Sequence, residues 1–161
     1  MIVVSDTSPL CYLVLIEKIS ILPQLFGEVI IPQAVYDELR TKDAPIAVQN
    51  WANYPPSWLK INSTSFEQTD EILNSLDSGE RQAIQLAEYL GAELVMIDEK
   101  LARNVARERG LNVTGLLGIL EKAAQVNLLN FSTAIEQLQQ TNFRVSPLLV
   151  KSLLEKWQTL Q

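Results

Sequence analysis

The apolar run Ile2-Val3-Val4 leads, after Ser5, into Asp6-Thr7-Ser8-Pro9, and Leu94-Val95-Met96-Ile97 leads into Asp98-Glu99. Apolar runs this short, bounded by turn and helix-start residues, read as strands buried on both faces. Strands that alternate with helices imply right-handed crossovers and a parallel sheet, so the expected fold class is α/β. In open parallel sheets, ligand sites lie beyond the carboxyl ends of the strands. Asp6 and Asp98 both fall there, so one pattern constrains the fold and a site together.

The alternation continues along the chain, with neither an internal repeat nor a low-complexity segment. Strands are expected at residues 2–5, 28–31, 58–61, 94–97 and 111–113. Helices are expected at 10–16, 19–26, 32–40, 45–52, 67–76, 81–90, 99–109, 116–124, 133–140 and 147–157. Pro9 and Pro32 suit first helical turns, and Gly110 suits a helix end because it accepts left-handed backbone angles. At 161 residues the chain fits one domain, 1–161. A domain of that size buries roughly 68–70% of its unfolded surface without staples.

The chain has no histidine and one cysteine, Cys11. Disulfides within the chain are therefore excluded, and zinc lacks its usual ligands. No apolar run approaches the roughly 20 residues of a membrane span, and Asp6 stands where a signal peptide would carry positive charge. A cytoplasmic protein is expected. The net charge of −6 argues against a partner held by diffuse electrostatics. That objection weakens if several acids converge on divalent cations, since each bound cation reverses the local field.

Each acid also has a structural reading. Asp6 is a good N-cap, Asp98 can cap the helix that follows it, and Glu38, inside a helix, can simply be solvated. Asp77 and Glu80 fit an Asp-x-x-Glu capping box. Taken together, Asp6, Glu38, Glu80 and Asp98 fall at or near one end of the expected sheet, which independent capping does not require. Carboxylates brought close together repel unless protonated or bridged, and Mg²⁺ or Mn²⁺ bridges them with oxygen ligands and retained water. Such a site suits phosphodiester hydrolysis. Lys100, Arg103 and Arg107 recur at spacings of three and four, so they share a helix face that offers phosphate contacts or is ordinarily solvated.

The segments carrying these residues are Val4-Ser5-Asp6-Thr7-Ser8-Pro9-Leu10, Ile31-Pro32-Gln33-Ala34-Val35-Tyr36-Asp37-Glu38-Leu39, Leu76-Asp77-Ser78-Gly79-Glu80-Arg81, Val95-Met96-Ile97-Asp98-Glu99-Lys100-Leu101-Ala102-Arg103 and Val113-Thr114-Gly115-Leu116. In order and spacing they resemble the PIN-domain family, in its compact prokaryotic form that includes VapC-like toxin ribonucleases. The resemblance covers nearly the whole chain. It implies a three-layer sandwich with a parallel five-stranded sheet ordered 3-2-1-4-5, and Mg²⁺ or Mn²⁺ held by Asp6, Glu38, Glu80 and Asp98. It also implies single-stranded RNA as substrate, met by the Thr7 and Ser8 hydroxyls and by Lys100, Arg103 and Arg107. A homodimer and a small antitoxin partner follow from the same likeness, and the apolar stripe of Leu148, Leu149, Leu153, Leu154 and Trp157 offers a surface for assembly. One departure is that the third family acid is commonly Asp, whereas here Glu80 stands at that place with Asp77 one turn earlier as the alternative.

Two other functions fit parts of the pattern. A non-catalytic interaction module on the same fold would keep the acids without using them. A phosphotransfer receiver or phosphatase also places an Asp after a parallel strand. The phosphatase wants a second Asp two residues later, where Ser8 stands, and a receiver wants paired acids where only Asp6 is found.

Overall fold

Val3, Val4 and Ser5 are fully buried and form β1 (Val3–Ser5). Around it lie β2 (Val29–Pro32), β3 (Leu59–Asn62), β4 (Leu94–Met96) and β5 (Val113–Thr114), giving a parallel sheet ordered β3-β2-β1-β4-β5. The chain thus starts at the centre, builds outward to β3, then returns to the other side of β1. The change of direction falls between β1 and β4, which opens a crevice at their carboxyl ends. The computed structural model describes residues 1–67 and 69–159. They form two compact units, Met1–Leu116 and Leu117–Gln161.

The first unit holds the sheet and its helices α1 (Thr7–Leu15), α2 (Ile21–Phe26), α3 (Gln33–Leu39), α4 (Ile46–Asn53), α5 (Glu71–Asn74), α6 (Ser78–Leu90) and α7 (Lys100–Glu108). Side chains alternate across a strand, so Val4 on β1 and Val95 on β4, with Ile97 beyond it, share one face. They form a core with Ala83, Ile84, Leu86 and Ala87 of α6 and Ala102, Val105 and Ala106 of α7. At roughly 1.5–3 kcal/mol for each large side chain buried, this cluster fixes the two helices against the central strands. Helix α3 packs on α6, which brings the acids of both helices to one place.

Several helix boundaries change: α1 begins at Thr7 and α6 at Ser78, three residues earlier than expected, because Asp6 and Asp77 stand at their N-caps. Of the helix expected over residues 67–76, residue 68 lies outside the described residues and the rest is reduced to α5, because the Asp70 carboxylate accepts the Leu73 N–H at 2.8 Å and starts the helix there. Pro32 closes β2 and stands at the N-cap of α3, in extended conformation, so the helix begins one residue later than expected.

The second unit contains α9 (Phe131–Gln139) and α10 (Pro147–Thr159), with most of α8 (Leu116–Gln125). Asn130 caps α9 by accepting the Thr133 N–H. Trp157 is buried and stacks on Phe131, with ring centroids 5.3 Å apart. Of the apolar stripe on α10, Leu148 and Leu149 are exposed, while Leu153 and Leu154 are half-buried. No helix among the described residues is long and apolar enough to cross a membrane.

Candidate active site

Strands β1 and β4 run in register, with Val4 beside Val95 and Ser5 beside Met96. The Asp6 N–H continues the ladder by donating to the Met96 carbonyl at 2.9 Å. Asp6 therefore leaves its strand one residue before Asp98 leaves the neighbouring one. Although Asp6 stands at the N-cap of α1, its side chain makes no capping bond. It is 5% exposed, and its carboxyl is held well above the usual range, first by burial and then by Asp77, Glu80 and Glu38, against a bond from the Thr7 backbone. The cap-only reading of Asp6 does not describe this geometry.

Glu38 reaches the same place from α3. Its Oε2 accepts the Thr7 hydroxyl at 2.5 Å, and its carboxylate also accepts the Gly79 N–H. Burial raises its pKa, and Asp77 adds to the rise. The meeting point is Gly79, in the first turn of α6. A Cβ there would lie 2.6 and 2.9 Å from the two Glu38 carboxylate oxygens and 3.0 Å from Asp6 Oδ1. Any other residue would have to push the acids apart. Glycine inside a helix costs roughly 0.5–1 kcal/mol relative to alanine, and its presence in a first turn is the sequence signal that a close approach was needed. Reading the acids alone missed it.

Asp77 and Glu80 form the full capping box: Glu80 N–H donates to Asp77 Oδ1 at 2.8 Å, and Asp77 N–H donates to Glu80 Oε1 at 3.2 Å. Glu80 is only 7% exposed. Burial first, then the charge of Asp77, pushes its pKa up to about 7. Glu80 thus caps its helix and contributes to the field around Asp6 at once. Asp77 does the same, so both acids remain at the site.

Asp98 is held differently. Its Oδ1 accepts the Leu116 N–H at 2.6 Å, and its Oδ2 accepts the Ser8 hydroxyl at 3.0 Å. Burial raises its pKa, opposed by these two bonds and by the nearby Arg103. It does not cap α7, because Glu99 takes that role by accepting the Ala102 N–H at 2.8 Å. Gly115 repeats the theme of Gly79: a Cβ there would lie 3.1 Å from both Asp98 Oδ1 and Arg103 Nη1. Thr7 and Ser8, adjacent on α1, thus each donate a hydroxyl to a different acid.

The basic residues divide. Arg103 is half-buried and its Nη1 donates to the Asp98 carbonyl, whereas Lys100 and Arg107 are exposed. Among the described residues none of Asp6, Glu38, Asp77, Glu80 and Asp98 forms an ion pair with a lysine or arginine. The structure therefore gathers Asp6, Glu38, Asp77 and Glu80 in one unneutralised field, with Asp98 tied beside it through Ser8 and Leu116.

The family model for the PIN domain matches residues 2–159. The chain belongs to the PIN-domain family. A PilT N-terminus domain protein from the hyperthermophilic archaeon Sulfolobus solfataricus P2 has a similar solved structure, with a TM-score of 0.54 at 20% identity, over 76% of this chain and 93% of that one. That likeness shows the shared fold. No curated protein matches this chain significantly.

PIN domains are commonly nucleases and typically use divalent metals. The donor set of this PIN domain fits a hard cation: it is made of carboxylate oxygens, it lacks histidine and thiolate, and its acids are pushed toward protonation first by burial and then by one another's charge. Among the described residues no three acidic or cysteine side chains are already drawn together as a ligating group. Glu80 is bonded within its capping box, and Asp98 to the Leu116 N–H and the Ser8 hydroxyl.

Proposed function

We propose that this PIN domain is a Mg²⁺- or Mn²⁺-dependent endoribonuclease that hydrolyses phosphodiester bonds of single-stranded RNA. One observation carries the reading: Asp6 and Glu38 press on Gly79 from two elements, in the field of Glu80 and Asp77, and among the described residues none of the four forms an ion pair. Such an arrangement is unfavourable unless a proton or a cation offsets it. Asp6 and Glu38 would hold the metal, with Glu80 and Asp98 completing its surroundings and Asp77 as the alternative to Glu80. When bound, the metal neutralises charge on the phosphate and acidifies a water. The protein's own contribution is positional: Thr7 fixes Glu38, Ser8 and the Leu116 N–H fix Asp98, and the register of β1 with β4 sets Asp6 beside them. Lys100 and Arg107 are exposed and would meet phosphates, whereas Arg103 donates to the Asp98 carbonyl.

The proposal extends to the toxin half of a toxin–antitoxin pair, acting in the cytoplasm as a homodimer and inhibited by a small antitoxin. The exposed Leu148 and Leu149 on α10 support an assembly surface. Purified protein incubated with a mixed RNA pool, with Mg²⁺, Mn²⁺ or chelator, tests the activity. Cleavage that needs the metal and is lost in Asp6→Asn is expected. A second reading, a non-enzymatic interaction module, is favoured by the intact capping box of Glu80 and by the bonded Asp98. Folded wild-type protein that leaves the pool intact in every metal condition would establish that second reading instead.

A further inference from the structure

A cavity of about 310 Å³ lies within the first unit, lined by Gln33 and Asp37 of α3, Phe66 from the segment after β3, and Arg81, Gln82 and Gln85 of α6. That volume is at the small end of ligand pockets, which span roughly 300–1,000 Å³. The two helices that line it also carry the site acids: Asp37 precedes Glu38, and Arg81 follows Glu80. The cavity therefore lies on the same two helices, beyond the carboxyl ends of β2 and β3, with the site acids themselves outside its lining.

Its groups are unevenly engaged. Asp37 is held by Arg40 at 3.3 Å and by the Gln33 amide at 2.9 Å, so its charge is already met. Arg81 makes no ion pair among the described residues, and its guanidinium is the cationic group of the lining. Gln82 is half-buried and carries an amide with both donor and acceptor. Phe66 is half-buried, and Tyr89 fixes its ring by an edge contact with centroids 5.7 Å apart. One fixed aromatic ring, one amide and one guanidinium make a set that suits a nucleotide: unpaired bases stack on aromatic side chains and are read along their edges. An amide fits the N7 edge that only purines carry, pairing with N6–H and N7 of adenine and donating to N7 or O6 of guanine, and arginine meets phosphate.

We propose that this cavity receives one unpaired purine of the RNA, stacked on Phe66, read by Gln82, with a flanking phosphate on Arg81, and so sets the base preference of the neighbouring site. The choice of RNA as ligand rests on the ribonuclease reading. The pocket prefers purines because only they carry the N7 edge that the Gln82 amide reads, whereas Phe66 stacks under any base.

The test is fluorescence anisotropy in chelator, so that no cleavage occurs, using labelled seven-residue oligouridylates whose central base is U, C, A or G. The wild type is expected to bind the A and G oligomers about tenfold more tightly than the U oligomer. Gln82→Leu brings that ratio close to one, Phe66→Leu weakens all four oligomers, and Arg81→Gln weakens all four while lowering the salt slope by about 1. Gln82 is the deciding variant because its side chain is half in solvent and its loss leaves the core intact; thermal melting checks both leucine variants. Equal binding of the four oligomers, absence of binding, or a purine preference that survives Gln82→Leu overturns the proposal. The two readings separate cleanly. Metal-dependent cleavage without a base preference removes this pocket and keeps the ribonuclease, whereas a Gln82-dependent purine preference without cleavage keeps the pocket and removes the ribonuclease.

Discussion

Glu80→Gln is expected to stabilise the metal-free protein at high pH while removing its activity. Glu80 has its pKa raised from 4.5 to about 7. A carboxyl whose folded pKa lies above its unfolded one binds its proton more tightly in the folded state, so its contribution is fully present below about pH 4.5 and is lost as pH rises through about 7. Glutamine removes that loss. It keeps the oxygen that accepts the Asp77 N–H, so the capping box persists, and its amide can donate where the protonated carboxyl did. At 1.36 kcal/mol per pKa unit, the ceiling on the gain at pH 8 is about 3 kcal/mol. Water in the crevice screens part of this, which leaves about 1–2 kcal/mol, or roughly 2–8 °C in Tm for a chain of this length.

The assay is thermal melting of wild type and variant in chelator between pH 4.5 and pH 8.5. The two curves should meet at the acid end and separate with rising pH, the variant melting higher. In parallel, RNA cleavage with Mn²⁺ at pH 8 should fall by about 10–100-fold in the variant, the range for residues that support a metal site. The reasoning is refuted if the difference in Tm is constant across pH, or if the variant becomes the less stable form at pH 8. Unchanged cleavage would remove Glu80 from the site and return the role to Asp77.

Gly79→Ala should abolish cleavage yet leave the circular dichroism of the wild type, because the helix gains alanine's propensity while the new methyl meets Glu38 at 2.6 Å; full activity would refute the close approach. Mg²⁺ or Mn²⁺ at a hundred times its dissociation constant should stabilise the wild type by roughly 2.7 kcal/mol, and Asp6→Asn should lose that shift in differential scanning calorimetry. Lys100→Ala with Arg107→Ala should weaken RNA binding and flatten its salt dependence, whereas Arg103→Ala should reduce cleavage with the salt slope of binding unchanged, since its guanidinium serves Asp98; a loss of slope in Arg103→Ala would put that residue on the phosphates. Light scattering at micromolar concentration should show a homodimer that Leu148→Lys with Leu149→Lys converts to monomer; a monomeric wild type would exclude the assembly.

Asp6 and Asp98 were legible because their signal is local: an apolar strand, then an acid, then a helix start. The order of the sheet followed from the family likeness, and its placing of β1 beside β4 is what makes the two local signals neighbours. Glu38 and Glu80 are different, since nothing within either helix says that α3 and α6 pack together; their convergence belongs to tertiary packing. The capping box of Asp77 and Glu80 was visible as a spacing and does form, but a spacing cannot show that the same carboxylate is also buried and that its charge is felt at Asp6.

Arg103 shows the limit of periodicity most plainly. Lys100, Arg103 and Arg107 share a helix face by spacing, yet helical side chains lean toward the N-terminus of their helix, and Arg103 stands close enough to the start of α7 for that lean to bring it to Asp98. Arg107, one turn further on, has no such acceptor within the lean and stays in solvent. Between Arg103 and Arg107 the position along the helix, rather than the face, separates the cation that serves Asp98 from the one in solvent. Gly115 supports the assignment independently: it leaves room for the Arg103 guanidinium and the Asp98 carboxylate at the point where any side chain would press on both.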